Sequence, residues 1–293
     1  MRIVEYIAAA QDEGRPIARV ARTRMSLTQG QLGSIKWKGG LLLDGAPVRA
    51  NAVVHAGQRV ALRFEDEPGR FVDPEDGPVN ILYQDEDVLV IDKQAPLACQ
   101  CADERPHGAL ENRLAFLFGE SFVFRPLSRL DKGTSGLMLA ARNAYAYAIL
   151  QRQLHTSDFM REYLAVAEGV PEPSQGVIDA PIDRADGPTV RREVRPDGRR
   201  AVTHYRIEAV SGGRALLRLR LETGRTHQIR VHLRHVNCPV AGDFLYGRED
   251  DALPGRFALH SARVEFIQPV TGARMAFTSP LPPELRALLG GSE

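Results

Sequence analysis

Lysine is nearly absent from this 293-residue sequence. Lys36, Lys38, Lys93 and Lys132 are the only four, so 34 of its 38 basic residues are arginine. The planar guanidinium fork suits phosphates and stacked bases, but genomic base composition produces the same bias, so the excess decides little alone. Cysteine is scarce too. Cys99, Cys101 and Cys238 are an odd set without framework spacing, which argues against a disulfide scaffold and fits a reducing cytoplasm. "CQC" lacks the further ligands at definite spacings that a four-coordinate metal site needs. No run of about 18 apolar residues occurs, so no membrane span is expected. The opening "MRIVEYIAAAQDEGR" carries acids within and after a very short apolar run, and does not read as a secretory signal. A Gly-rich phosphate cradle, internal repeats and low-complexity segments are also missing.

What is present is ordinary in amount and uneven in arrangement. Hydrophobic residues make up 43% and charged residues 26%, with a formal net charge of +1. This is a globular composition, and the length favours two domains over one. From Arg15 to Arg63 there are nine Lys/Arg and one acid, Asp44; from Glu65 to Asp76 there are six acids and one arginine, with Pro68, Gly69 and Pro74. A basic unit followed by an acidic Pro/Gly stretch reads as a small domain and its linker, dividing the chain into 1–67, 68–78 and 79–293.

The first unit is expected to begin with a helix and continue through a polar, turn-rich segment, "RMSLTQGQLGSIKWKGGLLLDG". Two or three short strands should then follow around Asp44-Gly45 and Ala56-Gly57. Beyond residue 79, "ILY", "VLVID", "GLMLAAR", "REYLAVAEG", "AVTHYRIEAV" and "RALLRLRLET" read as strands. "ARVEFIQPV" and "RMAFTS" read as a hairpin across Thr271-Gly272. "ENRLAFLFGE", "NAYAYAILQRQLHT" (with Asn143 as cap), "GRTHQIRVHLRHV" and "PELRALL" have helical character. Strands outnumber helices and several are joined by hairpins, so the fold class is α+β with a mostly antiparallel sheet.

Asp131 stands in "SRLDKGTSG", before a small-residue turn that feeds an apolar strand. Alone it reads as a turn acid. Its company changes that reading. "SRLDKGTSG" resembles the H-R-L-D-x-x-T-S-G motif of the RluA-type pseudouridine synthases, and "LETGRTHQIRVHLRHVNCPVAGDFLYG" is similar to that family's second long motif. "REYLAVAEG", "ILYQDEDVLVIDK" and "LHSARVEFIQPVTG" resemble its intermediate, opening and closing segments, so the resemblance covers about Val79 to Leu289. It implies a pseudouridine-synthase catalytic domain with a mixed sheet, acting on RNA uridines. The 1–67 segment is similar, on "GLLLDGAPVRANAVVHAGQRVAL", to a small α/β RNA-binding domain of ribosomal-protein type. Arg19, Arg22, Arg24, Lys36, Lys38 and Arg49 would face phosphate there.

The chemistry implied exchanges a sugar–nitrogen bond for a sugar–carbon bond with no redox change and no external atom, so no cofactor or metal is expected. A carboxylate can attack the anomeric carbon, steady an oxocarbenium-like state or abstract a sugar proton; the residue types leave these routes open. The resemblance makes Asp131 the nucleophile and Arg230 its counter-charge, with Arg225 as rival. Tyr163 becomes the group stacking on uracil, and Arg129 the side chain filling the gap left by an extruded base. His227, His232 and His235 read as hydrogen-bonded histidines rather than metal ligands. Six arginines and one acid between Arg214 and His235 suit an RNA-facing element. Ser128 stands where the family usually has histidine, and "DKQAPL" lacks the family's usual glycine after its lysine-proline pair. Ribosomal RNA is the first expected substrate and transfer RNA the second, for a cytoplasmic monomer. The rivals are a non-catalytic RNA-binding assembly factor and an enzyme that releases uracil.

Overall fold

A computed structural model of the chain describes residues 1–65, 69–119, 121–154 and 156–290. Asp66, Glu67 and Pro68 of the acidic stretch, Glu120 and His155 lie outside the described residues. Two compact units are present, one made of Met1–Gly69 with Asn143–Ile149, the other of Arg70–Arg142 with Leu150–Glu293.

The first unit opens on a strand where a helix was expected. Arg2–Ile7 runs antiparallel to Arg59–Phe64, from Arg2 opposite Phe64 to Ile7 opposite Arg59. Val4 is buried while Glu5 is exposed. A six-residue stretch has too few turns to gain much as a helix, whereas an adjacent partner strand satisfies its backbone at once. The helix lies later, at Ile17–Arg24. A second helix, Gln29–Trp37, occupies the segment expected to be turn-rich. Thr28 Oγ1 accepts from the Gln31 N–H at 3.2 Å and Gln31 Oε1 accepts from the Thr28 N–H at 3.0 Å. The "TQGQ" capping box was therefore readable, but Gly30 and Gly33 diluted the helical period. Asp44 and Gly45 both adopt positive φ, 50° and 84°, and close a tight hairpin between Leu41–Leu43 and Ala46–Pro47. Ile17, Val20, Leu41, Val60 and Leu62 form the core with Tyr145, whose hydroxyl donates to the Met25 carbonyl at 3.0 Å.

The second unit is built on a ten-stranded sheet. Its order is Gln175–Asp179, Val202–Ser211, Arg214–Leu221, Met160–Glu168, Leu259–Ile267, Ser135–Ala141, Val88–Lys93 and Asn80–Gln84. Arg274–Thr278 pairs with Leu259–Ile267 and Arg125–Pro126 with Ser135–Ala141. Among the described residues, all of its strand pairs are antiparallel but one. Ser135–Ala141 lies parallel to Leu259–Ile267 through Ser135–His260 and Gly136–Ser261, so the sheet is mixed and mostly antiparallel, as expected of this α+β class. Gln175–Asp179 and the small pair Ile182–Arg184 with Arg192–Val194 are strands without a clear sequence signal, because all are short, the first carries Gly176 and the pair carries arginines. "GRTHQIRVHLRHV" is helical only over Gln228–His235.

The parallel contact sets a demand on Gly136. Its φ is 102°, and a Cβ there would lie 2.3 Å from the Ser261 carbonyl oxygen. No L side chain meets both conditions. Gly33, by contrast, has ordinary helical backbone and nothing within 4 Å of an added Cβ. Gly136→Ala should therefore lower unfolding free energy by about 2–4 kcal/mol, and Gly33→Ala should raise it by about 0.5–1 kcal/mol. Denaturant melts of the two variants test this contrast; a neutral Gly136→Ala would overturn the close parallel approach.

Candidate active site

The loop between Arg125–Pro126 and the buried strand Ser135–Ala141 carries Asp131. Several contacts hold this loop. The Leu130 carbonyl accepts from Cys99 Sγ at 2.9 Å, and the Lys132 carbonyl accepts from the Leu97 N–H at 2.9 Å. Lys93, only 1% exposed, donates from Nζ to the carbonyls of Leu97 at 2.8 Å, Gln94 at 3.0 Å and Lys132 at 3.5 Å. Burial pulls the Lys93 pKa down to about 8. At Gly133 a Cβ would meet the Phe257 ring at 2.7 Å, so the loop packs as bare backbone against that ring. Cys99 and Cys101 diverge, since Cys101 Sγ lies 3.4 Å from Glu111 Oε2.

Opposite the loop stands Gln228–His235. Gln228 fixes its first turn. Its Nε2 donates to the Val202 carbonyl and to Thr203 Oγ1, both at 3.0 Å, while its Oε1 accepts from Thr223 Oγ1 and the Arg225 N–H. Thr203 in turn can donate to His232 Nδ1 at 2.9 Å, because the other ring nitrogen of His232 donates to the Ala180 carbonyl at 2.9 Å. His232 is thus hydrogen-bonded on both nitrogens.

Arg230 projects from this helix and is 3% exposed. Its Nη1 donates to Asp131 Oδ2 at 2.9 Å. Its Nε and Nη2 donate to the two oxygens of Asp243 at 2.7 and 2.8 Å. Asp243 is fully buried and also accepts from the N–H groups of Leu245 and Tyr246. The guanidinium carbon lies 4.1 Å from the Phe257 ring centroid and 4.9 Å from that of Tyr246. Burial opposes the arginine's charge, but Asp243 and Asp131 outweigh it and leave the pKa above the ordinary arginine value. The bidentate pair with Asp243 balances the buried cation. Asp131 then receives one oriented N–H while its side chain stays 26% exposed.

Asp131's other oxygen, Oδ1, faces His227 Nε2 at 3.9 Å. His227 has a left-handed backbone, φ 57°, an uncommon state for a non-glycine residue. Its Nδ1 lies 2.8 Å from Tyr246 Oη, which accepts from the Arg192 N–H at 2.8 Å. Burial raises the Tyr246 pKa. Burial also lowers the His227 pKa against the pull of Asp131, which favours a neutral imidazole whose Nε2 is turned toward Asp131.

Tyr163 is 5% exposed and sits where the register between Met160–Glu168 and Leu259–Ile267 shifts, next to Glu162. Such an irregularity re-aims a strand side chain. Together with Arg129, Asp131, Arg225 and His227 it lines a cleft of about 420 Å³, within the range of small-ligand sites. Arg129 is exposed at this cleft, which Ser128 also lines. Arg225 donates from Nε to the Arg200 carbonyl at 3.0 Å, and Arg230 is the arginine bonded to Asp131. In the first unit, Arg19, Arg22, Lys36, Lys38 and Arg49 are exposed. Arg24 instead donates to the buried Asp12 at 2.9 Å, whose other oxygen accepts from Tyr6 Oη at 2.6 Å. Sequence reading passed over Asp243 and Tyr246 as partners of the site, although both stand in the quoted "AGDFLYG". His227 was read only as a hydrogen-bonded histidine. No local pattern says which acid will meet a buried arginine.

Residues 87–235 match the RNA pseudouridylate synthase family. Among individual relatives, the RNA pseudouridine synthase YjbO of Bacillus subtilis is 36% identical over 91% of this chain and 96% of its own length. The ribosomal large subunit pseudouridine synthase D of Xanthomonas campestris is 40% identical over 86% of this chain and 80% of its own. The solved structure of human RNA Pseudouridylate Synthase Domain Containing 1 aligns with a TM-score of 0.58 at 25% identity, covering 73% of this chain and 89% of that one.

The buried lysine beneath the loop makes a pH prediction. Its folded pKa of about 8 lies below the ordinary 10.5, so between these values the unfolded chain binds the extra proton and stability must rise with pH. Burying the charged form costs on the order of 3 kcal/mol at neutral pH. Unfolding free energies of the wild type and Lys93→Met, measured from pH 7 to pH 10, should differ by a constant amount below about pH 8 and then shift in favour of the wild type. The opposite slope would mean that folding favours the charged lysine.

Proposed function

The chain belongs to the RNA pseudouridylate synthase family and is an RNA-uridine isomerase; from that premise we propose that it modifies large-subunit ribosomal RNA with Asp131 as nucleophile. The ribosomal substrate is supported by the similarity to large-subunit synthases D of several bacteria. The nucleophile is supported above all by one observation, the 2.9 Å bond from Arg230 Nη1 to Asp131 Oδ2 inside the cleft. That bond takes up one carboxylate oxygen. The other, Oδ1, has no hydrogen bond among the described residues and remains available to a ribose carbon.

In this reading Oδ1 attacks the anomeric carbon as the bond to N1 breaks, and N1 takes the electron pair. The uracil turns within the cleft, and C5 attacks the same carbon as the carboxylate leaves. The proton at C5 is then lost and N1 regains one, so atoms and charge balance without an external reactant. Tyr163 supplies a flat apolar wall on which the pyrimidine stacks and a hydroxyl that can assist removal of the C5 proton. Arg129, exposed at the cleft, fills the gap that an extruded base leaves in its strand. His227 Nε2 stands 3.9 Å from the attacking oxygen. The basic first unit is read as an RNA-binding module, with Arg19, Arg22, Lys36, Lys38 and Arg49 presented to phosphates. Arg24 serves that unit's own fold. Transfer RNA is the second substrate to test.

Carbodiimide mapping of uridines in ribosomal RNA from cells with and without the protein should reveal at least one site that disappears on deletion. In single-turnover assays on a large-subunit transcript, Asp131→Asn should reduce pseudouridine formation by about 10⁴-fold or more. Full restoration of the site by the Asn variant would remove the nucleophile and leave only an RNA-binding role.

A further inference from the structure

Trp37 is the chain's single tryptophan and is 88% exposed. It ends the helix Gln29–Trp37, which already buries Leu32 and Ile35 on its inner face. The indole is therefore a surface group and not a core residue short of its pocket. Gly33 and Gly30 precede it by four and seven residues, which places them on the same helix face. A Cβ added at either would meet nothing within 4 Å among the described residues.

Lys36 and Lys38 neighbour Trp37 in sequence and are exposed; Arg63, which donates to the Gly39 carbonyl at 3.2 Å just past the helix end, is itself 3.9 Å from Glu65. One exposed aromatic is ordinary on a protein surface. An exposed ring with a lysine on either side in sequence, within the Arg15–Arg63 segment of nine basic residues and one acid, suits a partner that is both anionic and built of flat rings. Unpaired RNA has those two properties, because phosphates alternate with bases whose faces are apolar. Duplex RNA hides its base faces and meets only the charge.

We propose that Trp37 is a stacking platform for an unpaired base of the substrate RNA, with Lys36 and Lys38 on the adjoining phosphates. This assignment rests on the chain acting on RNA, and it concerns capture of substrate rather than bond exchange. With a single tryptophan, intrinsic fluorescence reports on this site alone. Titrating the intact protein with a single-stranded oligoribonucleotide of about 12 residues should quench the emission, while a duplex of the same length should leave it nearly unchanged. Trp37→Ala should weaken binding of the single strand by about 5- to 100-fold, and Trp37→Phe should keep most of the affinity. Replacing Lys36 and Lys38 by alanine should reduce the salt slope by about 0.7 for each phosphate no longer neutralised. Binding seen by anisotropy with unchanged emission and an unaffected Trp37→Ala would overturn the platform. So would quenching that needs ribosomal protein rather than naked RNA, which would point to a protein partner. Pseudouridine formation on the ribosomal transcript is scored in parallel: turnover with a silent Trp37 sinks only this inference, whereas no RNA bound and no turnover sinks the parent reading as well.

Discussion

A buried guanidinium cannot stand alone, and the way Arg230 is neutralised governs the rest of the catalytic unit. Asp243 grips it from two sides and is itself fully buried, so the cation's charge is met before Asp131 is considered. What remains for Asp131 is one directed N–H at 2.9 Å. The arginine therefore acts on the Asp131 carboxylate chiefly by orientation, pinning one of its two oxygens. Phe257 and Tyr246 pack on the guanidinium and fill the space that water would need to loosen it. A lysine would not serve, because a point charge cannot grip Asp243 with a planar fork and reach Asp131 together.

The sheet is arranged around that contact. Its parallel strand pair brings Gly136 against Ser261, and this seam anchors the start of the strand that leaves the Asp131 loop. The loop is then packed as backbone against Phe257 at Gly133 and tied from beneath by Lys93. Burying a lysine is unfavourable, yet its ammonium joins carbonyls of two segments, Gln94 and Leu97 on one and Lys132 on the other. Stability is given up locally for a fixed loop, a trade expected where geometry matters more than melting temperature.

The first unit handles its charge differently. Arg24 is drawn inward to Asp12, and cations such as Lys36 and Lys38 stay on the surface beside a helix whose glycines leave it bare. Net charge over the whole chain is only +1, so attraction for a polyanion must come from local imbalances such as this one. Salt should therefore affect binding far more than the Arg230–Asp131 pair, whose cation is buried and poorly screened.

Several features could be read from the chain in order. Strand alternation, the Asp44-Gly45 hairpin and the helical spacing of Gln228–His235 are local patterns, set by neighbours a few residues apart. The resemblance carried by the ordered motifs implied one site for Asp131, Tyr163 and Arg230, and the acid and the arginine meet although 99 residues separate them. Other features had no local sign. Arg2–Ile7 became a strand because Arg59–Phe64 came to lie beside it, and Asp243, not a residue of the loop, became the acid that balances Arg230. Tyr246 hydrogen-bonds His227 Nδ1 across 19 residues. Periodicity and turn chemistry are decided along the chain, but which charge meets which, and which oxygen is left free, is decided only where distant segments cross and water is excluded.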